Sequence, residues 1–251
     1  MPERRKSAAI IETSHGILVL GGSLSDGSQG NFASYALVFD MRTNEWLYEK
    51  DHGIPNMISH HTWNGGRTKG RNELSLVKLP DNRVVALGGT YVDDMDGMFG
   101  LMLGYSNEVC VLDVASKSWS FLPSFPSEEG NVGEACAIAL SDGNFAVLTC
   151  YGFNCFDFNT MEWLPLPMPP KIDDLFVFHN PALIRIHPHL IVAVNTWKRI
   201  CMYDEIHKQW YNIPTRNNIR PILDSPMGFL VKTETGTEVE VYLDSRCATG
   251  G

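Results

Sequence analysis

Short apolar runs broken by polar turn clusters recur along the chain. AIIETSHGILVLGG occupies residues 9 to 22, LVKLPDNRVVALGG 76 to 89, AIALSDGNFAVLTC 137 to 150 and LIRIHPHLIVAVNT 183 to 196. Each has two apolar, largely β-branched runs around a short turn of Ser, Asp, Gly, Asn, Pro or His, the pattern of a hairpin. Each is followed by a second recurring unit: FDMRTNEW, LDVASKSW, FDFNTMEW and YDEIHKQW. In these a large apolar residue precedes an Asp (Asp40, Asp113, Asp157, Asp204), and a Trp follows six positions after it (Trp46, Trp119, Trp163, Trp210). The Asp carboxylate can accept hydrogen bonds from the amides of a tight turn. The Trp then opens an outer strand, and its bulk can lie back between neighbouring sheets.

One repeat is therefore predicted to be four strands. A small sheet cannot cover both of its faces alone, and stacking such sheets around an axis gives an all-β fold, a β-propeller. Trp119 to Trp163 is 44 residues and Trp163 to Trp210 is 47, which sets the size of a blade. Trp46 to Trp119 is 73, so long loops are expected at 51–70 and 90–104. The blades fall at about 7–50, 71–124, 133–168 and 180–214, within a single domain of 251 residues. An incomplete blade follows at about 220–246, where Asp244 occupies the turn position but Gly250 stands in the place of a Trp. Four complete blades and one incomplete one imply a five-bladed ring or part of a larger one.

These residues resemble the kelch repeat. That family ends its second strand with a di-glycine, its third with an aromatic–Asp pair, and opens its fourth with Trp. Gly21-Gly22 with Asp40 and Trp46 match, as do Gly88-Gly89 with Asp113 and Trp119. Arg71 sits where a kelch blade often has Arg. Blades three and four depart from the pattern, with Thr149-Cys150 and Asn195-Thr196 at the di-glycine place. Degenerate blades of this kind look like the kelch domains of F-box proteins, although no F-box segment precedes this one.

Composition narrows the function. A formal charge of −9 argues against nucleic acid as a partner, because phosphate neutralisation needs a clustered basic surface. The one dense basic cluster, Arg4, Arg5 and Lys6, reads as a solvated tail. No apolar run approaches the roughly 20 residues of a membrane span. The six cysteines show no CxxC pairing and most lie inside strand-like runs. They read as reduced, buried apolar residues of a cytoplasmic or nuclear protein. No metal or other cofactor is expected: His60-His61 has no third ligand in register, and Asp93-Asp94-Met95-Asp96-Gly97 lacks the acid spacing of a calcium loop.

The two insertions fall on one face, since loops joining second and third strands share it with the links between blades. Long loops on a rigid scaffold are where binding residues concentrate. The candidate partner-binding patch is His60, His61, Trp63, Arg67, Arg71, Tyr91, Asp93, Asp94, Asp96 and Phe99. Arg67 and Arg71 would pair with carboxylates, and Trp63 and Tyr91 would be the aromatic anchors. The expected function is a protein–protein interaction module, an adaptor or scaffold for a protein or peptide. The alternatives are a kelch-propeller enzyme of oxidase or epimerase type acting on a sugar or small molecule, and a glycan binder using Trp63, Tyr91 and Trp197. No catalytic set can be assembled from the residues for the enzyme reading.

Overall fold

A computed structural model describes residues 1–24, 32–60, 70–94, 101–126, 135–150, 152–169, 182–194, 200–213, 227–232 and 238–243. The chain divides into two compact units, Met1–Leu166 and Pro167–Gly251.

The first unit begins with β1 (Arg5–Lys6), β2 (Ala9–Thr13), β3 (Gly16–Leu20), β4 (Ser23–Leu24), β5 (Leu37–Asp40), β6 (Glu45–Leu47) and a one-turn helix, α1 (Glu49–His52). β7 (Ser75–Lys78), β8 (Val84–Leu87), β9 (Thr90–Asp94), β10 (Leu101–Tyr105), β11 (Val109–Asp113) and β12 (Ser118–Leu122) follow. β13 (Cys136–Ala139), β14 (Phe145–Leu148), β15 (Phe153–Asp157) and β16 (Glu162–Pro165) complete it. Three antiparallel four-stranded sheets result, β2-β3-β5-β6, β7-β8-β11-β12 and β13-β14-β15-β16. β2, β7 and β13, the first strands of the three, lie side by side. That is the packing of successive propeller blades. The second unit holds a blade of the same order, β17 (Ala182–His187), β18 (Leu190–Val194), β19 (Ile200–Asp204) and β20 (Gln209–Asn212). It also holds a separate two-stranded sheet, β21 (Met227–Lys232) with β22 (Glu238–Leu243). No helix among the described residues is long and apolar enough to cross a membrane.

Strands covered on both faces read as continuous apolar runs, and VVAL of β8 and FAVL of β14 are buried at every position. Among the described residues of the first unit, two clusters fill the spaces between blades. Leu18, Leu20, Val38, Ile54 and Met57 meet Leu74, Val84 and Leu112 between the first two blades. Val77, Val85 and Val111 meet Phe145, Val147 and Phe156 between the second and third.

The Asp–Trp unit forms as expected. Oδ1 of Asp40 accepts the Arg42 and Thr43 amides, Asp113 those of Ala115 and Ser116, Asp157 that of Asn159, and Asp204 those of Ile206 and His207. The residue before each Asp pairs across the sheet with the Trp: Phe39 with Trp46, Leu112 with Trp119, Phe156 with Trp163, Tyr203 with Trp210. The turn also imposes a left-handed residue four positions after the Asp. Asn44 (φ 60°), Lys117 (φ 55°), Met161 (φ 59°) and Lys208 (φ 51°) occupy it. Only Asn is suited to that conformation.

Three of the indoles do more than wedge. Nε1 of Trp119 donates to the Pro55 carbonyl (3.0 Å), that of Trp163 to Pro123 (3.0 Å) and that of Trp210 to Pro167 (2.7 Å). In the first unit these bonds tie each blade to the segment that leaves the blade before it.

Two expectations are corrected. In the basic cluster at the N-terminus Arg4 and Lys6 are exposed as expected, but Arg5 is not solvated. Arg5 lies in β1, its side chain fully covered, with Nη1 donating to the carbonyls of Gly21 (3.1 Å) and Tyr35 (2.9 Å) and the guanidinium stacked over the Tyr35 ring. The 90–104 insertion is not a loop throughout: β9 and β10 pair in an antiparallel hairpin from Thr90↔Tyr105 to Asp94↔Leu101.

Candidate functional site

The site is built where the two insertions meet blade two. Helix α1 stops at Gly53, which takes φ 71° as its left-handed cap. The strap Gly53–His60 then runs along the blade. Ile54 and Met57 are buried in the core cluster, which fixes its path. His52 steers its start: Nδ1 accepts the Ile54 amide (2.9 Å) and Nε2 lies 3.3 Å from the Ala36 carbonyl. The ring is therefore neutral with its proton on Nε2, and desolvation by burial lowers its pKa from 6.5.

The strap's end is clamped by Glu108, which is 4% exposed and sits between β10 and β11. Its carboxylate accepts the Ser59 hydroxyl (2.7 Å) and the His60 amide, and the His60 Nδ1 lies 3.1 Å away. Cys110 donates its thiol to the Ile58 carbonyl at 3.4 Å. Burial pushes that thiol up to about 11, against the pull of the nearby Arg71 cation.

Arg71 closes the cluster from beneath. It is fully buried, and its Nη1 donates to the carbonyls of Gly88 (3.1 Å) and Glu108 (3.4 Å) and to the Ser106 hydroxyl (3.3 Å). Nη2 points to the sulfurs of Met57 and Cys110, and Nη1 lies 3.9 Å from the Glu108 carboxylate. The expectation that Arg71 pairs with a partner's carboxylate is corrected by this burial: the fork is filled from within. Arg5 makes the same two carbonyl contacts one blade earlier, to Gly21 and Tyr35, so the arginine is a repeated clasp for the di-glycine corner. The glycines there need positive φ, and a Cβ on Gly21 would meet the Arg71 carbonyl at 2.3 Å. Blade three has no such corner; the Thr149 hydroxyl takes the Gly152 amide (3.0 Å) and makes the turn itself.

The hairpin β9–β10 rises beside the strap. Asn72 bridges to Thr90 and the Ser106 amide donates to Gly89, so both insertions start from one rim. Tyr91 is half-buried, its ring lying over Gly104, where a Cβ would come 2.5 Å from Cζ. The glycine admits the ring, and the ring covers the glycine. Asp93 and Asp94 lie in β9, with side chains outside the described residues. His61, Trp63, Arg67, Asp96 and Phe99 also lie outside the described residues, as does Trp197.

Of the expected patch, His60 is on the surface. Its side chain is 71% exposed and stacks flat on Phe121, with centroids 4.0 Å apart and planes 13° from parallel. Phe121 (38% exposed) and Tyr105 (47% exposed) were not foreseen from the sequence. The signal for Phe121 was its place two residues after Trp119 on an outer strand. Glu108 had no signal, since a single acid before a strand looks like any solvated charge. Apart from Arg71 Nε, which is buried without a partner, the Arg71 fork and the Glu108 carboxylate are taken up within the cluster, which mounts an imidazole and aromatic rings at its surface. Among the described residues no group of His, Cys, Asp or Glu could hold a metal ion.

No family model matches the chain, and no curated protein matches it.

Proposed function

We propose that the chain is a kelch-type propeller module that binds a protein or peptide partner at the rim formed by the strap Gly53–His60 and the hairpin β9–β10. The four-stranded blades, the two Gly-Gly corners and the Asp–Trp turns support the kelch reading, and β21–β22 supplies the start of a fifth blade. One observation carries the binding reading. Both segments that break the repeat end on the same four residues, Tyr105 to Glu108, and Glu108 spends its carboxylate on fixing the strap. Recognition would use the exposed rings of His60, Phe121 and Tyr105, since aromatic anchors on a rigid support dominate protein interfaces.

The test is affinity capture with the intact chain, with His60→Ala/Phe121→Ala, and with residues 91–104 replaced by a two-residue turn. Partners recovered by the intact chain should be lost from both variants while far-UV circular dichroism stays unchanged. Equal recovery by all three proteins rejects the rim as the binding surface.

A further inference from the structure

His52 holds the strap where it leaves blade one. Its buried ring accepts the Ile54 amide on Nδ1 (2.9 Å) and lies 3.3 Å from the Ala36 carbonyl at Nε2. One nitrogen must accept and the other donate, which only the neutral imidazole can do. An imidazolium carries a hydrogen on both nitrogens. Its Nδ1–H would meet the Ile54 N–H donor against donor, leaving that amide without its acceptor at a residue only 1% exposed. What the bond secures reaches past Ile54. The next residue, Pro55, gives its carbonyl to Nε1 of Trp119 (3.0 Å), the joint between blades one and two. Met57 follows, donating its amide to the Ser34 carbonyl (3.0 Å). Trp119 and Phe121 are alternate residues of β12 and share a face, and Phe121 carries the His60 ring.

Protons can reach the ring, because it lines an open cleft of about 410 Å³. Charged groups face it from each element around that cleft. Glu49 and Asp51 on its own helix favour its protonation, and Lys117 from the β11–β12 turn opposes it. His15 of the β2–β3 turn and Asp40 and Arg42 of the β5–β6 turn line the same cleft, Arg42 lying 3.7 Å from Asp40. Burial outweighs the acids and, with Lys117, lowers the pKa of the closed form from 6.5. From this geometry we infer that His52 is a proton-operated latch: neutral, it locks the strap and the Pro55–Trp119 joint, and protonated, it releases both while the blades stay folded. In the open form the ring stands in water with its ordinary pKa of 6.5. The latch is therefore fully set above that pH, and below it the opening equilibrium rises by up to about tenfold per pH unit until the closed form also takes up the proton. Any effect on a partner rests on the rim reading above, whereas the release itself does not.

The experiment is native-state hydrogen exchange of the full chain by NMR between pH 7.5 and 5, corrected for intrinsic rates. The Ile54 and Met57 amides and the Trp119 indole N–H should lose protection by up to about tenfold per pH unit below 6.5. Their exchange should be insensitive to low urea, as in a local opening, whereas Val85 of β8 should exchange only through urea-dependent global unfolding. His52→Asn, which keeps an acceptor but cannot titrate, should abolish the pH dependence at the strap. The His52 Cε1–H resonance supplies a readout that needs no variant. A ring that takes up its proton with Ile54 protection unchanged overturns the inference, and so do strap amides that exchange only in step with Val85 or a pH profile unaltered in His52→Asn. Capture at pH 7.5 and 5.5 separates the two readings. If the strap opens and partners are still held at the lower pH, the latch stands and the rim reading fails.

Discussion

Removing the Arg71 guanidinium should cost the fold, not the partner. The side chain is fully buried and supplies donors to two carbonyls, a hydroxyl and, at 3.9 Å, the Glu108 carboxylate. Arg71→Ala leaves those acceptors in a dry site and opens a cavity. Deleting one member of a buried pair costs about 3–5 kcal/mol. Glu108 keeps the Ser59 hydroxyl and the His60 amide, so the lower part of that range, about 3–4 kcal/mol, is expected. Arg71→Lys should recover only part of this, because an ammonium cannot fork between the Gly88 and Glu108 carbonyls. Urea denaturation followed by amide exchange in β8 and β11 confines the readout to the affected blade. Arg71→Ala/Glu108→Gln should be less destabilised than the sum of the single variants, since the orphaned charge is gone. A loss under about 1 kcal/mol for Arg71→Ala, in the range of an exposed charge, would refute the clasp.

Three further outcomes follow from the same geometry. Met161→Gly should stabilise by about 0.5–1 kcal/mol, measured as a rise in urea midpoint, because Met161 holds φ 59° in the Asp157 turn and glycine takes that conformation freely. The His52 contribution to stability should be complete above its ordinary pKa of 6.5 and fall as pH drops below it. In that window the unfolded chain binds a proton that the folded ring, with the Ile54 amide on Nδ1, excludes. Denaturation midpoints between pH 7.5 and 5 should show this slope flattened in His52→Asn, which keeps an acceptor but cannot titrate. The Cys110 thiol, pushed up to about 11, should resist iodoacetamide at pH 8 in the folded protein and react at once in urea, read by mass spectrometry of its peptide.

The repeat was legible because its cause is local. An Asp that organises a turn and a Trp six positions on are set by backbone geometry, and all four turns formed as the spacing required. The left-handed residue inside those turns was not legible, since Lys117, Met161 and Lys208 give no hint of positive φ. The hairpin within 90–104 was hidden by its glycines and methionines, and its β9 strand carries two adjacent acids that read as loop. Arg71 was placed at the surface because a charged side chain beside a long insertion is usually solvated. Its burial depends on carbonyls contributed by Gly88 and Glu108, which no pattern of side chains announces. Arg5 was misjudged for the same reason, although the two arginines stand at the same distance before β2 and β7.

The bond from Trp163 to Pro123 ends on main chain. Any residue at 123 offers the same oxygen, so no exchange there can answer an exchange at 163. Methods that look for paired substitutions across homologues will be blind to the contacts that join these blades, and will see solitary fixed indoles where the molecule has joints.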